Sequence, residues 1–223
     1  MNNSEDITSV VNQVTQALEA LHNPHSNVQI FNQSQEFLEE VKRRPNAYSY
    51  ALVILTHPNE IVRHFGLHII ENLVKNQWVN ASENDKQSVK NEILGFISKV
   101  QVNEQKFIKE KMVTVIVEIV KRDWPQRWAN LLDSLVQISS LGETQAEVVL
   151  LTMGQLPHEI IFDSTSNNMI ALSEQRKKDL MAGTLQTLPG KRQRQSQRES
   201  SVHATLDVAI LHRMGTYRID SPA

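Results

Sequence analysis

Pro58-Asn59-Glu60-Ile61-Val62-Arg63-His64-Phe65-Gly66-Leu67-His68-Ile69-Ile70-Glu71-Asn72-Leu73-Val74-Lys75-Asn76-Gln77-Trp78 carries two distinct faces. Val62, Phe65, Ile69, Ile70, Leu73 and Val74 recur at three- and four-residue steps, the period of a helix with one apolar side. Asn59 is suited to cap its start, because a short amide side chain accepts a bond from an orphan N–H of the first turn. Gly66 costs a helix about 1 kcal/mol relative to Ala. Its place among the apolar residues predicts another helix backbone passing close by. His64, His68, Glu71 and Lys75 form a polar stripe on a second face. One side of this helix is made for a core, and the other offers mixed charge to a neighbour.

Outward from that stretch, the chain reads as helix after helix. Ser4 to Leu21 is amphipathic, with Ile7, Val10, Val11, Val14, Leu18 and Leu21 on one face. Asn27 to Arg44 comes next, capped by Ser26 or Asn27, with Val28, Phe31, Phe37, Leu38 and Val41 apolar. Pro45 punctuates, since proline cannot continue the helical hydrogen-bond ladder. A short helix spans Ala47 to Thr56. Ser82 to Val100 places Val89, Ile93, Phe96, Ile97 and Val100 inward. Glu104 to Arg122 is rich in β-branched residues that suit a buried strand, but its length and flanking lysines predict a buried helix. A helix starting at Trp124-Pro125 is expected to run to Leu141. Glu143 to Phe162 partners it across Gly142, and Ser173 to Leu188 is a further helix.

Helix pairs at roughly 40-residue spacing fall in the range of HEAT and armadillo repeats. A single pair cannot bury its apolar face alone, so neighbours stack into a solenoid. The expected fold is all-α: a HEAT-repeat α-solenoid of about four pairs plus a partial fifth over residues 1–188, with a disordered tail over 189–223. A non-repeating helical bundle is the simpler alternative.

Composition narrows the function. The 223 residues are 40% hydrophobic and 22% charged, with seven glycines and no cysteine. That excludes a disulfide framework, a thiolate metal site and a cysteine nucleophile. The formal charge of −2 hides a split: six basic residues oppose three acidic ones after Pro189, which leaves the rest at −5. A mildly acidic body suits a basic protein partner better than bare phosphate. The N-terminus lacks a basic region followed by an apolar run, so no secretory signal is read. The longest apolar run, Val113 to Val120, is far short of the ~20 residues that span a bilayer, and no membrane insertion is expected.

No phosphate-cradling loop, nucleophile elbow or zincin motif is present, so no enzyme is expected. His64 and His68 have a spacing that two zinc ligands use, but only Glu71 stands near as a third, and solvated histidines are the ordinary reading. Trp124-Pro125-Gln126-Arg127-Trp128 reads as packing between adjacent repeats, with Pro125 preset for a first helical turn. Lys106, Lys109, Lys111, Lys121 and Arg122 make a basic row whose default is a solvated face. Gly190 to Ser201 reads as a linker, despite a superficial likeness to a nuclear-import signal or RNA-binding arm.

Three blocks carry a family resemblance: Val62 to Glu71, Ile119 to Trp128, and Gly142-Glu143-Thr144-Gln145. In that order they resemble the N-terminal repeats of an RNA-exporting karyopherin of the importin-β superfamily, up to about Leu188. The residues beyond Leu188 are unlike a HEAT repeat. The resemblance implies a receptor shuttling between nucleus and cytoplasm, with Ran-GTP as partner. It implies hairpin or double-stranded RNA, pre-miRNA and tRNA, as cargo, and nucleoporins as a further partner class. No cofactor is implied; the GTP belongs to Ran. The Ran surface is expected on the second helices of the first three pairs, at Arg63, His64, Glu71, Lys75 and Lys109. Arg63 would pair with an acidic switch residue and Glu71 with a basic one. Gly66, Trp124, Pro125 and Trp128 are the expected structural motif. The alternatives are a truncated helical-repeat adaptor or a Ran-sequestering isoform without cargo transport.

Overall fold

The computed structural model describes residues 7–162 and 174–186. They form α1 (Ile7–His22), α2 (Val28–Arg43), α3 (Ala47–Ile54), α4 (Glu60–Asn76), α5 (Glu83–Ser98), α6 (Lys106–Asp123), α7 (Leu131–Ser139), α8 (Glu143–Phe162) and α9 (Glu174–Gln186). A 3₁₀ turn covers Trp78–Asn80. Among the described residues there is no strand. The disordered-tail reading of 189–223 lies outside them.

Capping fixes several helix starts. Asn27 Oδ1 accepts from the Ile30 N–H at 2.8 Å and Asn59 Oδ1 from the Ile61 N–H at 2.8 Å. Ser82 Oγ accepts from the Asp85 N–H at 3.1 Å, while its hydroxyl donates to the Asp85 carboxylate. Each bond satisfies a donor that the first turn leaves orphaned.

The helices pair as α1–α2, α3–α4, α5–α6 and α7–α8, and α9 packs on α8. Second helices stack in sequence, α2 on α4, α4 on α6 and α6 on α8. First helices meet less continuously, α1 with α3 and α5 with α7. This neighbour-to-neighbour stacking is a HEAT-repeat α-solenoid. The tightest junction within the pairs is α3 against α4. A Cβ on Gly66 would lie 2.8 Å from Ile54 Cγ2 and 3.3 Å from the Ala51 carbonyl oxygen, so the Ile54 side chain of α3, with the Ala51 carbonyl next to it, occupies the space a side chain would need.

Helix α6 lies between α4 and α8. Met112, Val113, Val115, Ile116, Val117, Ile119 and Val120 are all buried, so apolar residues cover most of its circumference. Such a segment is helical because neighbours on two sides bury it, whatever its β-branched preference.

In α2 only Leu38 and Val41 are buried, whereas Val28 is 76% and Phe31 43% exposed. One expectation fails: Trp124-Pro125 does not begin a helix. Residues 124–130 are turns, the Trp124–Pro125 bond is cis, and α7 starts only at Leu131.

The turn is shaped by a buried ion pair. Lys90 Nζ lies 2.6 Å from Asp123 Oδ2, with the two side chains 2% and 0% exposed. Asp123 Oδ1 accepts from Trp78 Nε1 at 3.0 Å and from Arg127 Nε at 3.1 Å, while Lys90 also donates to the Arg127 carbonyl. The Trp128 ring faces Lys90 Nζ at 5.7 Å, a cation–π contact. Trp124 and Trp128 are thus buried, as packing residues, but in a turn anchored by α5 and α6.

Candidate partner interface on the second helices

The polar stripe of α4 meets α6 along the stack. Glu71 is its centre: Lys75 Nζ donates to Oε1 at 2.6 Å, and Lys111 of α6 donates to Oε2. Burial pushes the Glu71 carboxyl up, but hydrogen bonds and charge from Lys111 and Lys75 outweigh it and hold it below the usual carboxylate range. Its side chain is 11% exposed against 36% for Lys75, so of this pair the lysine is the one that faces outward.

Beside it the His64 and His68 rings meet edge to face at 4.6 Å, and His64 meets Phe107 of α6 in the same way at 5.1 Å. Burial lowers both histidines, helped by the Lys111 charge; His68 falls to about 4, with further contributions from His64 and Lys42. Both rings are therefore neutral at pH 7, and His68 Nδ1 at 3.6 Å from Glu71 is no ion pair there. Phe107 remains 39% exposed. The result is an aromatic ledge edged by ammonium groups.

Arg63 and Lys109 are engaged elsewhere. Arg63 Nη2 makes a bidentate contact with Glu104 at 2.8 and 3.0 Å, and Nη1 donates to the His57 and Pro58 carbonyls. Its guanidinium therefore has an internal acidic partner, which ties α4 to the entry of α6. Lys109 Nζ is 2.6 Å from Glu147 of α8 and its side chain is 12% exposed. Glu71 likewise already has its basic partners. The five predicted residues thus divide: His64, Glu71 and Lys75 gather in one cluster, while Arg63 and Lys109 pin adjacent repeats together.

Sequence reasoning missed Phe107 and placed Lys111 only in a basic row. The signal for both was their four-residue spacing on α6, which puts them on one helix face. Further along, Lys121 pairs with Glu118 and with Glu159 of α8, and Arg122 with Glu118. Among the described residues no group of three or more His, Cys, Asp or Glu side chains gathers as a metal site. Nor, among them, is any helix long and apolar enough to cross a membrane.

A stacked α-solenoid with a mixed-charge row on its second helices defines the class, and sequence comparison defines the family. A family model described as "Exportin 1-like protein" matches residues 105–217, and one described as "Importin-beta N-terminal domain" matches residues 34–118. The chain belongs to the exportin 1-like, importin-β-type family. It is 55% identical over 184 residues to Exportin-5 of Dictyostelium discoideum, covering 82% of this chain and 16% of the relative. It is 29% identical over 189 residues to Exportin-5 of Homo sapiens, at 82% and 15% coverage, and 28% identical over 190 residues to Protein HASTY 1 of Arabidopsis thaliana, at 83% and 15%. The chain thus spans about one-sixth of the length of these relatives.

Proposed function

We propose that this chain supplies the N-terminal, Ran-GTP-binding portion of a nuclear export receptor that shuttles between nucleus and cytoplasm. The match of residues 34–118 to an importin-β N-terminal domain carries this reading, because that span contains the Glu71 cluster and the Phe107 ledge. The GTP stays on Ran, and the chain contributes binding rather than catalysis. Lys75, His64, His68 and Phe107 contact the partner, with Glu71 fixing Lys75 and Lys111. Arg63 and Lys109 hold the helices in register. The names of the similar Exportin-5 proteins support export as the process, and small structured RNA, pre-miRNA or tRNA, is the cargo class we assign. Pull-down of Ran in its two nucleotide states tests the reading: retention of the GTP form alone supports it, and equal retention of both forms, or of neither, rejects it.

A further inference from the structure

We propose that the cavity between α1 and the start of α4 is a docking site for one cationic side chain, an arginine, of a partner peptide. The cavity has a volume of about 220 Å³, and its lining includes Leu18, Glu19 and His22 of α1 and Asn59, Ile61 and Val62 at the start of α4. That volume lies below the ~300 Å³ at which sites for drug-sized ligands begin, so it takes a single side chain. The site is distinct from the Glu71 cluster and does not rest on the Ran reading.

Charge at this end of the chain selects a cation. Residues 1–41 hold six acidic side chains, Glu5, Asp6, Glu19, Glu36, Glu39 and Glu40, and no Lys or Arg. Such a segment draws basic partners. Glu39 and Glu40 are answered by Lys42 and Arg44, as Glu71 is by Lys75 and Lys111. Glu19 is the only Asp, Glu, Lys or Arg of α1. It is exposed and makes no hydrogen bond or ion pair among the described residues. Among the described residues that line the cavity, it is also the one carboxylate.

The rest of the lining fits an arginine. Leu18 and Val62 are buried and Ile61 packs against the core, which gives a methylene stem an apolar wall. His22 Nδ1 donates to the Leu18 carbonyl at 2.8 Å, which leaves Nε2 of the neutral ring as an acceptor. Asn59 Oδ1 is taken by the Ile61 N–H, so its amide group remains to donate to a peptide carbonyl. A guanidinium is a planar fork that meets the Glu19 carboxylate and the imidazole acceptor together, and the point charge of a lysine is the poorer match. A leucine would cover the apolar wall but leave Glu19 unanswered.

The probe is the capped tripeptide Ala-Arg-Ala, titrated into the isotope-labelled full chain and followed by backbone amide shifts. A citrulline tripeptide, which keeps the shape and loses the charge, and Ala-Leu-Ala are the controls. Saturable shifts at the Leu18, Glu19 and Val62 amides are expected, with a dissociation constant on the order of 1 mM for so small a contact. Glu19→Gln should weaken binding at least ~3-fold, as loss of one exposed ion pair does. Glu36→Gln, at an exposed carboxylate outside the cavity, should leave it unchanged. Equal binding of the citrulline or the leucine peptide would make the cavity an apolar pocket and overturn the proposal. Absence of saturable shifts at these amides, or unchanged affinity in Glu19→Gln, would overturn it as well.

Discussion

Lys90 Nζ and Asp123 Oδ2 lie 2.6 Å apart in the interior, where α5, the end of α6 and the Trp128 turn converge. Removing one partner of such a pair strands a buried charge, which typically costs about 3–5 kcal/mol. Asp123→Ala also deprives Trp78 and Arg127 of their acceptor. Urea unfolding is expected to show a loss of about that size, with helical circular dichroism retained in the absence of denaturant. A loss below about 1 kcal/mol would mean that the pair does not organise this junction.

Glycine substitutions should have opposite signs at two sites. Gly66→Ala gains about 1 kcal/mol of helix propensity, but its methyl would meet the stiff, branched Ile54 side chain at 2.8 Å and the Ala51 carbonyl at 3.3 Å. Overpacking typically costs about 1–3 kcal/mol, so a net loss of about 1 kcal/mol is expected. Gly95, within α5, has nothing within 4 Å of its would-be Cβ, and Gly95→Ala should stabilise by up to about 1 kcal/mol. Thermal melts of the two variants side by side check the contrast.

Acid should weaken the fold in two windows. His68 titrates near 4 in the fold and near 6.5 when unfolded, so the unfolded chain binds the extra proton and stability falls as pH drops through that interval. The Asp123 carboxyl is raised by burial, but Lys90 and Trp78 outweigh this and hold it below its ordinary value. Its contribution is present above the unfolded value of 3.8 and is lost as pH falls through its lower folded value. Denaturation series at pH 7, 5.5, 4.5 and 3 should show declining stability, with a shallower decline between pH 7 and 4.5 in His68→Gln and a further loss below 3.8 that Asp123→Asn removes. An unchanged slope in His68→Gln would remove His68 as the cause.

Arg63→Ala should act on stability before binding. It breaks the bidentate contact with Glu104 and two bonds to backbone carbonyls, and a loss of about 1–3 kcal/mol is expected. Lys75→Gln, on a side chain 36% exposed, leaves Lys111 as the partner of Glu71 and should change the melting temperature by only about 2 °C. Weaker binding of Ran by the Lys75 variant with unchanged unfolding would separate the two roles.

The helices were legible because their apolar residues repeat at the helical period and their caps are local. Asn59 and Asn27 announce their helices from within a few positions, whereas Ser82, read as the first residue of its helix, is the cap before it. The close approach at Gly66 could be read because a glycine in an apolar helix face needs a reason. The turn at Trp124 to Asn130 could not, since Asp123 is bonded from Trp78 and Lys90, which are distant in sequence. The polar stripe on α4 was visible, but its partners were not. Glu71 has Lys75 one turn on in sequence, but only the stacking of α6 brings Lys111 to it and Glu104 to Arg63. Phe107 becomes part of the candidate site for the same reason: the His64 ring lies against it across the helix junction.

Titration of the chain against Ran loaded with a non-hydrolysable GTP analogue, with Ran-GDP and a Lys75→Gln, Phe107→Ala variant as controls, measures the proposed recognition itself. Saturable binding to the GTP form only is predicted, weakened at least ~10-fold in the variant, a change of about 1.4 kcal/mol. Binding of equal strength to both nucleotide forms, or unchanged affinity in a folded variant, would contradict it.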